Sequence, residues 1–211
     1  MESSFVETLY ITFKLAFITT VLLLFIGFPI AILLAFKNFK LKTFFEAVIA
    51  LPLVLPPTVL GFYFLVLLGK INLAFTFEGL VIASIVYSLP FMVQPIHSAL
   101  ISFPKDLIEA SYTLGKSQIE TFFKVIAPNI KSSIITAIVL TFAHTVGEFG
   151  VVLMVGGSIP GETKVASIAI YEEVEALNYS LANKYALVLI IVSFITIFLV
   201  YLLNKRITEL K

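Results

Sequence analysis

The sequence predicts an all-α integral membrane protein, and three observations carry that prediction. The 211-residue chain is 60% hydrophobic and 13% charged, with a mean hydropathy of +1.08, far more apolar surface than one soluble core of this size can bury. Five runs, Leu15–Phe36, Ala47–Gly69, Gly79–Phe103, Ser132–Gly157 and Ala186–Leu203, are long and apolar enough to cross a bilayer. A polar, amphipathic island, Pro104–Pro128, separates the third run from the fourth. The same composition excludes other classes. A net charge of +1 argues against a nucleic-acid partner. Without cysteine, and with only His97 and His144 as histidines, no thiolate chemistry or zinc site is expected, and no cofactor on this chain.

The elements follow in order within one transmembrane domain spanning 1–211. The first run follows an acidic N-terminal segment and reads as a span rather than a cleaved signal peptide. The second contains Leu51-Pro52-Leu53-Val54-Leu55-Pro56-Pro57 and the third contains Pro90 and Pro95. Each proline removes a ladder hydrogen bond, so both helices are expected to be bent or interrupted. A packing kink is one reading of these breaks; a polar pathway at membrane depth, gated near Pro56 and Pro57, is the other. The fourth run is interrupted by His144 and Glu148, and the chain stops soon after the fifth, which leaves no room for a C-terminal regulatory domain.

Basic residues set the orientation. Ten (Lys37, Lys40, Lys42, Lys105, Lys116, Lys124, Lys131, Lys205, Arg206 and Lys211) fall on one side, against Lys14, Lys70, Lys164 and Lys184 on the other. The positive-inside rule then places the N-terminus outside and the C-terminus and island in the cytoplasm of a cell inner membrane. On the outer side, Ile159-Pro160-Gly161 is a turn, and Thr163 is placed to cap a surface helix from about Lys164 to Leu177. Val165, Ile168, Ala169 and Val174 would form its apolar face.

The island reads as two short helices meeting at a glycine. Pro104 suits a first helical turn, Leu107, Ile108, Ser111 and Leu114 recur at helical spacing, and Gly115 is the natural residue after the C-cap. Ser117 with Glu120 forms a capping box, Ile119, Phe122, Phe123 and Ile126 make the second stripe, and Pro128 stops it. Such a pair outside the bilayer is a docking device. Ala110 to Ser117 also approaches a phosphate-binding GKS loop, but it lacks the first glycine and follows a helix rather than a strand, so nucleotide binding is rejected.

In the fourth run His144 and Glu148 stand four apart, on one helix face, where they can touch. Charge in hydrocarbon is costly, so this face should point into protein or a water-filled cavity, and the small residues Ala143, Gly147 and Gly150 nearby let another backbone approach. A static pin between helices and a gate are the two readings. Thr58, Ser84, Ser88, Thr141 and Thr145 are the hydroxyls available to line a pathway.

The island resembles the cytoplasmic signature of permease subunits of binding-protein-dependent ABC importers: E-A-A, three residues, G, nine residues, I-x-L-P. Here Glu109-Ala110-Ser111, Gly115 and Val125-Ile126-Ala127-Pro128 occupy those positions, with Ser111, Val125 and Ala127 departing from it. The proline-rich stretch of the second run, Gly147-Glu148-Phe149-Gly150, Ile159-Pro160-Gly161-Glu162-Thr163 and Ala169-Ile170-Tyr171 are similar to the molybdate permease branch. The resemblance implies a type I ABC importer permease fold of about five spans plus a coupling-helix pair at 104–128, and a homodimer. It implies docking of an ATPase subunit, which carries ATP and Mg, through Glu109, Ala110, Ser111, Leu114, Gly115, Lys116 and Pro128. It also implies an external substrate-binding protein. Pro56, Pro57, His144, Gly147, Glu148, Phe149 and Gly150 become the candidate gate. Cargo would be molybdate, with sulfate or tungstate as alternatives, and a scaffold that transports nothing as the rival class. Many members of that family carry Arg where this chain has His144, so the resemblance implies no role for a permanent positive charge here.

Overall fold

A computed structural model describes residues 2–209, with side chains described for 4–204. Lys205 and Arg206 therefore lie outside the described side chains, and Lys211 outside the described residues. Helix α1 (Glu2–Phe36) begins well before the apolar run that announced it. Its first turns are fixed by packing: the rings of Phe5 and Tyr185 meet at 4.6 Å, tilted by 40°, and Thr12 is buried and accepts a 2.8 Å hydrogen bond from Ala166 N–H.

A short helix α2 (Lys42–Ala50) leads through a 3-10 turn (Leu51–Leu53) into α3 (Pro57–Gly69). The two parts are bent by 106°, so the proline cluster does break this span, as expected. Helix α4 (Phe77–Ile101) behaves otherwise. It runs through Pro90 and Pro95 as one element, so the expected interruption is absent there. Neighbours on several sides hold it: Pro90, Met92, Val93 and Ile96 are all buried, and such packing supports a proline in a spanning helix.

Two buried clusters organise the bundle. In one, Ile11 and Leu15 of α1 meet Leu80 and Ala83 of α4; in the other, Leu34 meets Leu100. Low numbers pair with low and high with high, so α1 and α4 run parallel. The chain then turns through α5 (Lys105–Thr113), α6 (Gln118–Thr121), a π-turn (Phe122–Ile126) and α7 (Ala127–Asn129). It returns antiparallel as α8 (Lys131–Gly147), whose Ala137 lies in the second cluster. The hairpin thus sits at the end where α1 and α4 finish, beneath what we call the hairpin core. The opposite core is closed by α9 (Gly150–Gly156) and α10 (Ala166–Glu175), through Val151, Val152, Val155, Val165 and Ile168. Helix α11 (Tyr179–Glu209) packs on α10 and α8 and leaves most of its apolar surface exposed, the position of a hydrocarbon-facing span.

Among the described residues three helices are long and apolar enough to cross a membrane unbroken, and the number is five when each of two bent pairs is counted as one span. The fourth expected span, Ser132–Gly157, is not one helix. It ends at Gly147, Glu148 is extended (φ −66°, ψ 132°), and α9 starts at Gly150. The outer helix is also shorter and deeper than a surface helix. Ala166, Ile168 and Ala169 are buried, whereas Val174 is 42% exposed and leaves the apolar face. Thr163 does not cap it. Its buried hydroxyl donates to Gly156 O (2.6 Å) and accepts from Ile159 N–H (3.0 Å), which staples the preceding loop instead.

Candidate functional site

The hairpin is built from local rules. Gly115 lies in the left-handed region at φ 77°. Its N–H bonds Tyr112 O (2.9 Å) and Lys116 N–H bonds Ser111 O (3.1 Å), the two bonds of a Schellman ending for α5. One residue later Ser117 opens α6 with the expected capping box, Ser117 Oγ accepting from Glu120 N–H (3.2 Å) and Glu120 accepting from Ser117 N–H (3.3 Å). Lys124 bonds the same carboxylate at 2.9 Å. That bond first, then the Ser117 N–H and the Lys116 charge, holds the Glu120 carboxyl down to about 2.

Two expectations fail in detail. Pro104 is the N-cap of α5 rather than its first residue, and Pro128 stops nothing. It sits two residues after the π-turn, near the end of a helix that continues from Gln118 to Asn129. The break falls at Ile130, where the helix axis turns by 69° into α8. The two arms are joined by a contact the sequence did not announce: Ser111 and Thr121, both buried, share a 2.9 Å hydroxyl–hydroxyl bond. Thus Ser111, the departure from E-A-A, is an internal staple. Glu109, Ala110, Leu114, Gly115, Lys116 and Pro128 are all exposed.

The second site lies between the two cores. A cavity of about 570 Å³ is lined by Pro57, Thr58, Tyr87, His144, Gly147, Glu148, Phe149 and Gly150, among others. The candidate gate residues therefore converge there, except Pro56, the exposed N-cap of α3. Two broken elements meet at its wall. A Cβ on Gly150 would stand 2.6 Å from Pro57 Cβ, and one on Gly61 would stand 2.7 Å from Met154 Cβ, so glycine is what lets α9 lie against α3.

His144 and Glu148 do not form the expected pair. With the helix ending at Gly147 they no longer share a face, and each finds its own partner on α4. Glu148, 4% exposed, accepts from Ser84 Oγ at 3.0 Å, and its carbonyl accepts from Ser167 Oγ of α10 at 2.5 Å. Among the described residues its Oε1 has no hydrogen-bond partner. His144 Nδ1 lies 3.0 Å from Ser88 Oγ, with its ring stacked on Phe91 at 3.9 Å. Ser88 also meets Thr145 at 3.1 Å. Of the candidate pathway hydroxyls, Ser84, Ser88 and Thr145 therefore bond within the protein, Thr141 is buried, and Thr58 lines the cavity. Ser167 was missed, because nothing in the sequence marks a serine that reaches another helix's backbone. His97 lies 3.7 Å from Glu46 across the α2–α4 contact.

A bundle of unbroken and interrupted spans, with a capped hairpin outside it and a polar break inside, defines a helical membrane permease. Residues 27–209 match the family described as binding-protein-dependent transport system inner membrane component, and the chain belongs to that family. It is 47% identical to the molybdenum transport system permease protein ModB of Azotobacter vinelandii, over 90% of each chain. A "Probable sulfate transport system permease protein cysT" of Prototheca wickerhamii is 29% identical, over 90% of this chain and 79% of the relative. Among solved structures, the methionine ABC transporter MetNI in an inward-facing conformation matches with a TM-score of 0.83 at 20% identity, covering 98% of this chain and 97% of that one. The fold is therefore that of a type I ABC importer permease.

Proposed function

We propose that this chain is the permease subunit of an importer that moves molybdate inward, driven by ATP hydrolysed on a separate subunit. The observation that carries this reading is the 47% identity to a molybdenum transport permease along 90% of both chains. In this reading the exposed residues of the hairpin, Glu109, Ala110, Leu114, Gly115, Lys116 and Pro128, dock the ATPase, while Ser111 keeps the two arms together. ATP and Mg stay on that partner, and this chain binds no cofactor.

Two copies of the chain enclose the pathway, a binding protein delivers cargo on the outer face, and the N-terminus is outside. The cavity at Glu148 is the gate region. Its lining holds no lysine or arginine, so it would hold a tetrahedral dianion weakly. Weak retention suits a conduit from which the ion must leave, and leaves selection to the binding protein. Sulfate is the second reading, favoured by the sulfate permease relatives at about 30% identity. Uptake by vesicles reconstituted with the whole transporter tests both: molybdate should accumulate with ATP and be displaced weakly by sulfate. Accumulation of sulfate in preference to molybdate reassigns the cargo, and no ATP-dependent uptake of either refutes transport.

A further inference from the structure

A groove of about 420 Å³ is formed between the end of α1 and the hairpin, on hairpin residues other than the six assigned to docking, and shares no residue with the gate. Its apolar walls include Phe36, from the last turn of α1, and Ile119 and Phe123 from the second arm of the hairpin. These three are 44%, 70% and 67% exposed, so the groove is an open apolar face. Three polar side chains line it as well: Lys37, Tyr112 and Gln118. All three can donate hydrogen bonds, and among the described residues none of them has a side-chain partner.

The charge here is uncommitted. Lys116 and Lys124 are taken up by Glu120, and Lys42 faces Glu46, whereas Lys37 meets no carboxylate among the described residues. The groove therefore combines a hydrocarbon wall continuous with the end of a membrane span and an unpaired cation at the level where that span emerges. A soluble partner would need only the second, and hydrocarbon alone only the first. We propose that the groove holds an acyl chain of an anionic phospholipid, with its phosphate on the Lys37 ammonium and the Tyr112 and Gln118 donors at its rim. Basic pockets at the ends of spanning helices suit such headgroups.

This inference rests on the membrane reading and not on the cargo. Purified, delipidated protein titrated with phosphatidylglycerol or phosphatidylcholine and followed by native mass spectrometry tests it. Phosphatidylglycerol should be retained about fivefold better. Lys37→Glu should abolish that preference, and Lys70→Glu, at the opposite end, should keep it. Ile119→Trp fills the groove without changing charge and should weaken retention of the lipid. Equal retention of both lipids by the unaltered protein, or a preference that survives Lys37→Glu and Ile119→Trp, overturns the site. In the assembled transporter, a photoreactive phenylalanine analogue at position 123 should label lipid; labelling the ATPase or a second copy of this chain also overturns it. Failure of oxyanion uptake with lipid selectivity intact would remove only the cargo.

Discussion

The hairpin at Pro104–Pro128 and the break at Gly147–Gly150 are both places where a helix stops, yet they are solved by opposite means. At the hairpin the freed backbone groups are capped within a few residues by Gly115, Ser117 and Glu120, at a corner that is exposed. At the break no side chain of the neighbouring turn does that work. There the Glu148 carbonyl accepts from Ser167 of α10, while the Glu148 carboxylate and the His144 ring are met by Ser84 and Ser88 of α4, residues far away in the chain. The corner of the hairpin is exposed whereas Glu148 is buried, so the interior site draws its partners from distant helices. A local solution can move as one piece; a distributed one ties together the helices that supply it.

Substitutions sharpen this contrast, beginning with the largest effect. Gly115→Pro forces φ from 77° to about −65° and destroys the Schellman ending. ATP-driven uptake should fall at least about tenfold, the ratio for 1.4 kcal/mol against a helix-breaking cost of about 3 kcal/mol, with membrane insertion unchanged. Normal uptake would disconnect the hairpin from transport. Gly150→Val puts a side chain where a Cβ already stands 2.6 Å from Pro57, and should cost about 1–3 kcal/mol by overpacking, read as a lower unfolding temperature in detergent. Ser84→Ala strips the buried Glu148 carboxyl of its Oε2 partner and should cost about 1–3 kcal/mol. Adding Glu148→Gln should recover part of that loss if the interior site is held from α4, and none of it otherwise.

Smaller effects belong to the hairpin. Ser111→Ala and Thr121→Val remove the two ends of one bond, so their double-mutant cycle should show about 1 kcal/mol of coupling. Glu120 gives a pH signature. Its folded-state value lies below the ordinary 4.5, so its contribution is complete above 4.5 and lost as pH falls toward about 2. Amide exchange across Gln118–Thr121, corrected for intrinsic rate, should quicken over that interval, and no change would dismiss the capping box as a stabiliser.

The same contrast explains how much was legible in the sequence. Apolar run lengths give spans to within a turn or two at most ends, and the rules for glycine, serine and glutamate at helix termini give the hairpin almost residue by residue. Those rules are local, and so is the sequence signal. His144 and Glu148 were identified as the polar residues of the fourth span, but pairing them assumed a continuous helix. The extended backbone at Glu148 and its tether to Ser84 and Ser167 are tertiary facts without a local signal. Pro90 and Pro95 do not interrupt α4, where burial supports a breaker whose cost is judged from the chain alone. The Ser111–Thr121 bond joins two residues ten apart across a turn and has no periodic signature.

Between the end of α5 and the start of α6 the Schellman glycine, Lys116 and the capping serine follow one another without a spare residue. A corner so short has almost no torsional slack, and a hydroxyl bridge behind it keeps the arms from splaying. Displacement applied at its tip would reach α4 and α8 with little lost to bending, as through a crank rather than a spring.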